Sequence, residues 1–409
     1  MTASTRQQAG TRSVWFLWAG QTVSQIGDTI FEIGLIWLAY ELTGSKSQTG
    51  LIAASAYLPA LLFGLFAGSV ADRFDRRRIM LNADLARLVL VALIPLLFYN
   101  NMLSIHSLGL ITVLVAFFNI LFIPARDALI PELVSKDQLF KTNALMQTTW
   151  QISMLGGPLL ASFLIASIGI AHLFTIDAAT FLLSFLFIFM IKKPAFVKVA
   201  DASKQWRFKE IFSVFRYLRG ERALLILLVI TAVDNLFIMG PAMVGLPIFV
   251  KENLGIAGDA GASVFASGHM YMALGMLIGT LLLNKFGRSI RQNRLLSWGI
   301  ILDGLTYLPM FWVTDPQLMY LTLFCHGLFI PLIIIPRPTL VHKIVPAEMQ
   351  GRIFALITIS VTGFTALSIA ATGVLAEVFS MANIYAFIAV FATFTGVIIL
   401  FDEDFRQSV

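Results

Sequence analysis

Asp28-Thr29-Ile30-Phe31-Glu32-Ile33-Gly34 and Asp234-Asn235-Leu236-Phe237-Ile238-Met239-Gly240 are one short pattern written twice: an acid, a phenylalanine three residues on, and a glycine after three more. The copies are offset by 206 residues, and each lies inside an apolar stretch long enough to cross a bilayer. A carboxylate at bilayer depth is costly and persists where it lines a cavity or handles ions. The repetition continues outward. Gly68-Ser69-Val70-Ala71-Asp72-Arg73-Phe74-Asp75-Arg76-Arg77-Arg78 has a counterpart in Thr280-Leu281-Leu282-Leu283-Asn284-Lys285-Phe286-Gly287-Arg288. Ile123-Pro124-Ala125-Arg126 is matched by Ile335-Pro336-Arg337. Offsets of 206 to 212 residues recur in order, which chance similarity of apolar segments does not produce, so the chain reads as two homologous halves.

Composition places those halves in a membrane. Hydrophobic residues make up 58% of the 409 and charged residues only 13%, a balance foreign to soluble domains of this size. A spanning helix needs roughly 20 mostly apolar residues. Twelve stretches qualify: about 14–40, 49–71, 79–99, 106–125, 143–168, 170–191, 223–250, 262–284, 295–313, 317–336, 353–377 and 381–401. The expected fold is an all-α membrane protein of twelve transmembrane helices in two pseudo-symmetric six-helix halves. Residues 1–191 form the first half, 192–222 a linker and 223–409 the second half. The first stretch is long and follows a polar start, so it reads as a retained helix rather than a cleaved signal peptide.

Lys and Arg positions set the expected orientation. Loops 72–78, 126–142, 192–222, 285–294 and 337–352 and both termini hold nearly all of them, whereas the alternate loops hold only Lys46 and Lys251. Basic residues gather on the cytoplasmic side, so a multi-pass protein of the cytoplasmic (inner) cell membrane with both termini cytoplasmic is predicted. The net charge of +6 is mostly topological, and its spread over loops between spans argues against nucleic acid. In the linker, Phe208, Ile211, Phe212, Phe215 and Leu218 recur at spacings of three and four among nine Lys and Arg residues. The segment is either a basic amphipathic helix on the inner surface or a solvated tether.

Several chemistries are excluded. Cys325 is the single cysteine, so no intrachain disulfide forms, and no Cys/His spacing suggests a metal site. His326 is a lone histidine in an apolar run, structural or cavity-lining in one reading and a proton relay in the other. No glycine-rich phosphate loop with a Lys-Ser/Thr end occurs, which argues against a built-in ATPase. No cofactor and no enzymatic activity are expected.

The intramembrane polar residues are the candidates for function. Asp28 and Glu32 are four apart and share a helix face; two carboxylates so close in a low-dielectric site cannot both ionise cheaply and titrate as a unit. They would couple to protons or hold a cationic substrate, unless one simply pairs with a basic residue such as Arg87. Asp234 has Ile238 where Asp28 has Glu32, and Asn235 beside it offers hydrogen bonds in both directions. Asp303 lies roughly 13 Å from Arg294 along its helix. Asp84 and Arg87, three apart, read as a local ion pair, and Asp177 is either cavity-lining or an interface residue. The pairs Gln21/Gln25 and Gln147/Gln151 supply either cavity hydrogen bonds or interhelical packing.

In its glycine, Asp-Arg and basic cluster, and in falling between the second and third spans, Gly68–Arg78 resembles the signature loop of the major facilitator superfamily. Further segments resemble that superfamily's macrolide-efflux and enterobactin-exporter branch: Trp18-Ala19-Gly20-Gln21, Leu58-Pro59-Ala60-Leu61-Leu62-Phe63-Gly64, Pro124-Ala125-Arg126-Asp127-Ala128-Leu129-Ile130-Pro131 and Gly351-Arg352-Ile353-Phe354. They run from the first span to the eleventh. Of the Gly-Pro then Gly-Gly pattern of the family's drug antiporters, only Gly157-Pro158 is present.

The resemblance implies a proton-driven exporter of bulky, partly lipophilic molecules, drug-like or siderophore-like; the reading of the intramembrane acids puts the coupling on Asp28, Glu32 and Asp234. Alternating access would rock 1–191 against 223–409 about a midplane site, with Gln21, Gln25, Asn235, Asp303, Gln147 and Gln151 lining it. In the resembled family this loop locks the cytoplasmic ends of the two halves, which implies that Gly68, Asp72, Arg73, Arg76, Arg77 and Arg78 gate the pathway. A cation or a helix N-terminus of the other half can hold Asp72, and the start of the eleventh span at Gly351 and Arg352 is the expected place. Topology enforcement alone would explain the arginines but not Asp72. The competing functions are an importer or uncoupled facilitator with the same fold, and a non-transporting receptor or scaffold acting through 193–222. Both halves of the pathway come from one chain, so the architecture can work as a monomer with a small molecule, protons and lipid as its partners.

Overall fold

The computed structural model describes residues 3–191, 217, 218, 220–287, 290–403 and 405, and no strand occurs among them. The helices are α1 (Ala3–Thr43), α2 (Lys46–Ser55), α3 (Leu58–Arg73), α4 (Arg76–Tyr99), α5 (Ile105–Leu133), α6 (Leu139–Ile168), α7 (Ala171–Met190) and α8 (Arg222–Gly240). They continue as α9 (Leu246–Glu252), α10 (Gly258–Phe286), α11 (Gln292–Tyr307), α12 (Pro316–Phe329), α13 (Pro331–Ile334), α14 (Pro336–Ile344), α15 (Ala347–Val378) and α16 (Met381–Phe401).

Among the described residues, nine helical stretches are long and apolar enough to cross a membrane, and the bent pair Lys46–Gly64 and Phe66–Arg73 makes a tenth if counted as one span. The other two expected stretches are also helical. They are α1, which carries the polar residues Gln21, Gln25, Asp28 and Glu32, and α11, whose 16 residues run on into a 3-10 turn at Leu308–Phe311.

Proline explains why some apolar runs become broken helices. It removes a backbone donor and clashes with the preceding turn, so it is best tolerated in a helix's first turn. The run 49–71 breaks into α2 and α3, with Pro59 in the first turn of α3. The run 223–250 is interrupted by a π-helical turn at Pro241–Gly245, after which Pro247 opens α9. Pro331 and Pro336 divide the run that begins at Pro316 into α12, α13 and α14. Other ends are set by capping. The Asp75 carboxylate accepts from the Arg78 amide at the start of α4, and Ser104 and Ser107 form a reciprocal capping box on α5.

The chain divides into two compact units, Met1–Gly44 with Ser55–Gln205, and Ser45–Ala54 with Trp206–Val409. In the first, α1 packs against α6 and α7, α4 against α5 and α7, and α3 against α5. Leu17, Met80, Phe122, Leu129 and Ile188 are among its buried centre. In the second, α10 packs on α12, α11 on α12 and α16, and α8 on α15, around residues that include Leu224, Leu296, Leu340 and Ile353. Close backbone approach is what holds membrane helices together where apolar burial gives no net drive. A side chain on Gly275 would run into the backbone of α12, and one on Gly327 into that of α10.

The expected linker 192–222 and its amphipathic pattern lie outside the described residues, apart from 217, 218 and 220–222. There, Leu218 is buried in the core of the second unit. The segment 45–54 also belongs to that unit, although it lies within the first half of the sequence. Lys46 Nζ reaches Glu252 Oε2 at 2.7 Å and donates to the Ala376 carbonyl at 2.8 Å, and the Ser47 amide donates to Glu377 Oε1 at 3.0 Å. Gly50 lies so close to α15 that a Cβ on it would stand 3.0 Å from Gly373 Cα.

Candidate functional site

α1 gathers four polar residues on one stripe. Gln21, Gln25, Asp28 and Glu32 follow at spacings of four, three and four, which places them on a single face. Gln21 is buried and accepts from Arg126 Nη1 at 2.8 Å, while the same guanidinium reaches Asp127 Oδ1 at 2.7 Å. Gln25 borders a cavity of about 630 Å³ within the first unit, which Arg126, Asp127, Asn143, Gln147 and Trp150 also line. Its Oε1 has no hydrogen-bond partner among the described residues. Gln151 stands on exposed surface and does not line this cavity.

One turn along the stripe, Asp28 faces Arg87 Nη1 at 3.9 Å and keeps 37% of its side chain exposed. Arg87 is itself buried. Its Nη2 is held by Asp84 Oδ1, as the three-residue spacing on α4 led one to expect, and Nη1 donates to Asn119 at 3.4 Å. The guanidinium lies over Phe122 at 4.8 Å and Phe181 at 4.3 Å, an arrangement that suits a flat, weakly hydrated cation. Asp177, fully buried on α7, has Oδ1 3.1 Å from Thr180 Oγ1, whose hydroxyl also donates to the Asp177 carbonyl at 2.7 Å, and lies against Gly27, where a Cβ would collide with both. Asp177 lies within electrostatic reach of Asp28 and Arg87, and Glu32 within reach of Asp28. One cation thus stands among several carboxylates.

The second unit is arranged differently. Asp234 Oδ2 accepts from Arg337 Nη2 at 2.7 Å, with only 10% and 15% of the two side chains exposed. Asp234 borders a gap of about 10 Å³ with Phe237 and Phe391. Asn235 is buried, donating to the Thr231 carbonyl at 2.7 Å and accepting from Thr365 at 3.3 Å, and so ties α8 to α15. Asp303 and His326 are buried together, with His326 Nδ1 3.3 Å from Asp303 Oδ1.

In the basic loop, Arg76 is bonded to Glu132 and to the Ala128 carbonyl of α5. Arg77 donates to the Ile188 and Phe189 carbonyls at the end of α7, a favourable place for a cation. Arg78 is exposed and 3.7 Å from Asp75. Asp72 is half-buried and Arg73 exposed. Gly68 and Gly351 have open space around them, and Arg352 Nη1 lies 3.9 Å from Met349 Sδ.

Sequence reasoning missed three neighbourhoods here: Arg126 with Gln21, Arg337 with Asp234, and the packing of Asp177 into the space a side chain at position 27 would fill. The first two had a signal, since Arg126 and Arg337 are repeat mates. The third had none beyond a glycine one residue before Asp28.

A duplicated helical bundle with a buried carboxylate–guanidinium cluster in each half is a membrane transporter and not an enzyme. The chain belongs to the Major Facilitator Superfamily, whose family model matches residues 17–361 and again 228–409. It is 25% identical over 396 residues to the uncharacterized MFS-type transporter YfiS of Bacillus subtilis, covering 96% of this chain and 93% of that one. It is 25% identical over 346 residues to macrolide efflux protein A of Streptococcus pyogenes, covering 83% of each. Among solved structures, a point mutant of the peptide transporter POT shares the fold with a TM-score of 0.74 at 13% identity, over 95% of this chain and 93% of that one.

Proposed function

We propose that this transporter is a proton-driven exporter of bulky, partly lipophilic molecules of the macrolide or siderophore type, with both termini cytoplasmic. The observation that carries the reading is the state of Asp28. It projects into accessible space, while the cation it faces, Arg87 at 3.9 Å, is already held by Asp84. A carboxylate so loosely countered can exchange its partner, taking a proton in one state and a cation or cargo in another. The adjoining cavity, lined by Gln25, Asn143, Gln147 and Trp150, offers amide hydrogen bonds and an aromatic face suited to a large, mixed-polarity molecule. The name of macrolide efflux protein A points the same way. Glu32 belongs to this coupling unit through its reach to Asp28. Gating by Asp72 and Arg73 with Gly351 and Arg352 completes the proposal.

The test is accumulation of erythromycin, ethidium and a catechol siderophore in inside-out proteoliposomes with an acidic lumen. Accumulation that a protonophore abolishes, and that Asp28→Asn reduces to equilibration, is the expected result. Accumulation indifferent to the pH gradient would sink the proton coupling. The tight Asp234–Arg337 pair favours a second reading, an uncoupled facilitator, for which counterflow would be the same with and without the gradient.

A further inference from the structure

The second unit holds an ionisable pair that the coupling reading does not use. Asp303 on α11 and His326 on α12 are each about 2% exposed, with Nδ1 of the imidazole 3.3 Å from Oδ1 of the carboxylate. Thr306 fixes the direction of the proton between them. Its hydroxyl donates to the Asp303 backbone carbonyl at 2.7 Å. Its single hydrogen is thereby used, so in the 3.1 Å contact between Thr306 Oγ1 and His326 Nδ1 the ring nitrogen is the donor. Nδ1 therefore carries a hydrogen that it gives to Thr306, with the Asp303 carboxylate oxygen 3.3 Å beside it, and Nε2 is the ring atom left to take up or release a proton. An acid that fixes one imidazole nitrogen as donor determines what the other can do.

The surroundings suit that task. The Tyr307 ring packs on His326 with centroids 4.2 Å apart, and its hydroxyl is buried without a hydrogen-bond partner among the described residues. On α16, Tyr385 stacks on Tyr307 and donates to the Pro241 carbonyl at 2.9 Å. The other charged groups within reach are Asp234 on α8 and Arg337 on α14. They are bonded to each other at 2.7 Å, and Arg337 makes no hydrogen bond to Asp303 among the described residues, so neither is a dedicated counterion for it.

We propose that Asp303 and His326 form a proton-binding site of the second unit, with Asp303 holding the Nδ1–H tautomer and His326 Nε2 exchanging the proton. Its use in transport rests on the coupling reading, but its existence does not. Infrared difference spectra of the purified full chain, recorded against pH with ring-¹⁵N histidine, test it. His326→Gln should delete one imidazole titration, and Asp303→Asn should displace the same titration by about one pH unit or more, while Asp303→Glu restores it. Spectra unchanged by His326→Gln, or a titration that Asp303→Asn leaves in place, would overturn the site. Gradient-driven ethidium accumulation in proteoliposomes separates the two proposals. Its loss in His326→Gln, with the wild type active, puts the site to use in coupling. Its absence from the wild type strikes the coupling reading and leaves the spectra to decide the site.

Discussion

Asp28 and Asp234 hold the same place in the two repeats and live in different surroundings. Asp28 is more than a third exposed and 3.9 Å from a guanidinium that another carboxylate already holds. Asp234 is nearly sealed and bonded to its own arginine at 2.7 Å. The repeat mate of that arginine, Arg126, turns to Gln21 and Asp127 instead. The cavity beside the Asp28 stripe measures about 630 Å³ and the gap beside Asp234 about 10 Å³. The same letters stand twice, but only one copy meets an arginine closely: Asp234 is tightly paired with Arg337, whereas Asp28 is loosely countered and the repeat mate of Arg337 bonds Gln21. A buried ion pair adds little net stability but is costly to break on one side, so the locked pair is a fixture and the loose acid a candidate for chemistry.

The largest effect expected from this contrast is at the locked pair. Arg337→Ala leaves Asp234 buried without a partner and should cost about 3–5 kcal/mol, read as a large fall in thermal stability of the detergent-solubilised protein. Adding Asp234→Asn should recover much of it; a double variant no better than the single one would show that Arg337 matters for another reason. Next is Arg87→Lys, which keeps the charge but loses the flat contact with Phe122 and Phe181. A loss of about 1–2 kcal/mol is expected, and an unchanged melting temperature would remove the stacking argument. Asp28→Asn should cost less than about 1 kcal/mol, because the pair is long and partly solvated, yet abolish gradient-driven accumulation. If it unfolds the protein as readily as Arg337→Ala does, the distinction between working acid and fixture fails. Lys46→Met, which removes the pair with Glu252 and the hydrogen bond to the Ala376 carbonyl, should cost about 0.5–1 kcal/mol in the same melting assay.

Much of the architecture was legible because membrane helices announce themselves by length and apolarity, and the duplicated segments by order. Asp28, Glu32 and Asp234 stood out for the same reason: charge is rare in such stretches. Helix breaks were less legible, since a proline such as Pro59 or Pro247 ends one helix and begins another only when the following residues find a new direction to pack. Partnerships were the least legible. Arg337 meets Asp234 across 103 residues of sequence, and no spacing rule reaches that far. The polar stripe on α1 lay between these extremes: its spacing was visible, but it appeared as two pairs, Gln21/Gln25 and Asp28/Glu32, rather than one line.

The placement of α2 has a bearing on how such a protein can be taken apart. A gene cut in the linker yields a fragment from 206 onward that lacks Lys46, whose ammonium Glu252 receives, and lacks the amide of Ser47 that Glu377 accepts. It also lacks the glycine that lets a helix lie flush on Gly373. Such a fragment leaves those contacts unmade, since the ten residues that supply them remain on the other piece. Supplied in trans, a peptide spanning 45–54 is the natural complement, and the two repeats, though each written in one continuous stretch, are not interchangeable cassettes.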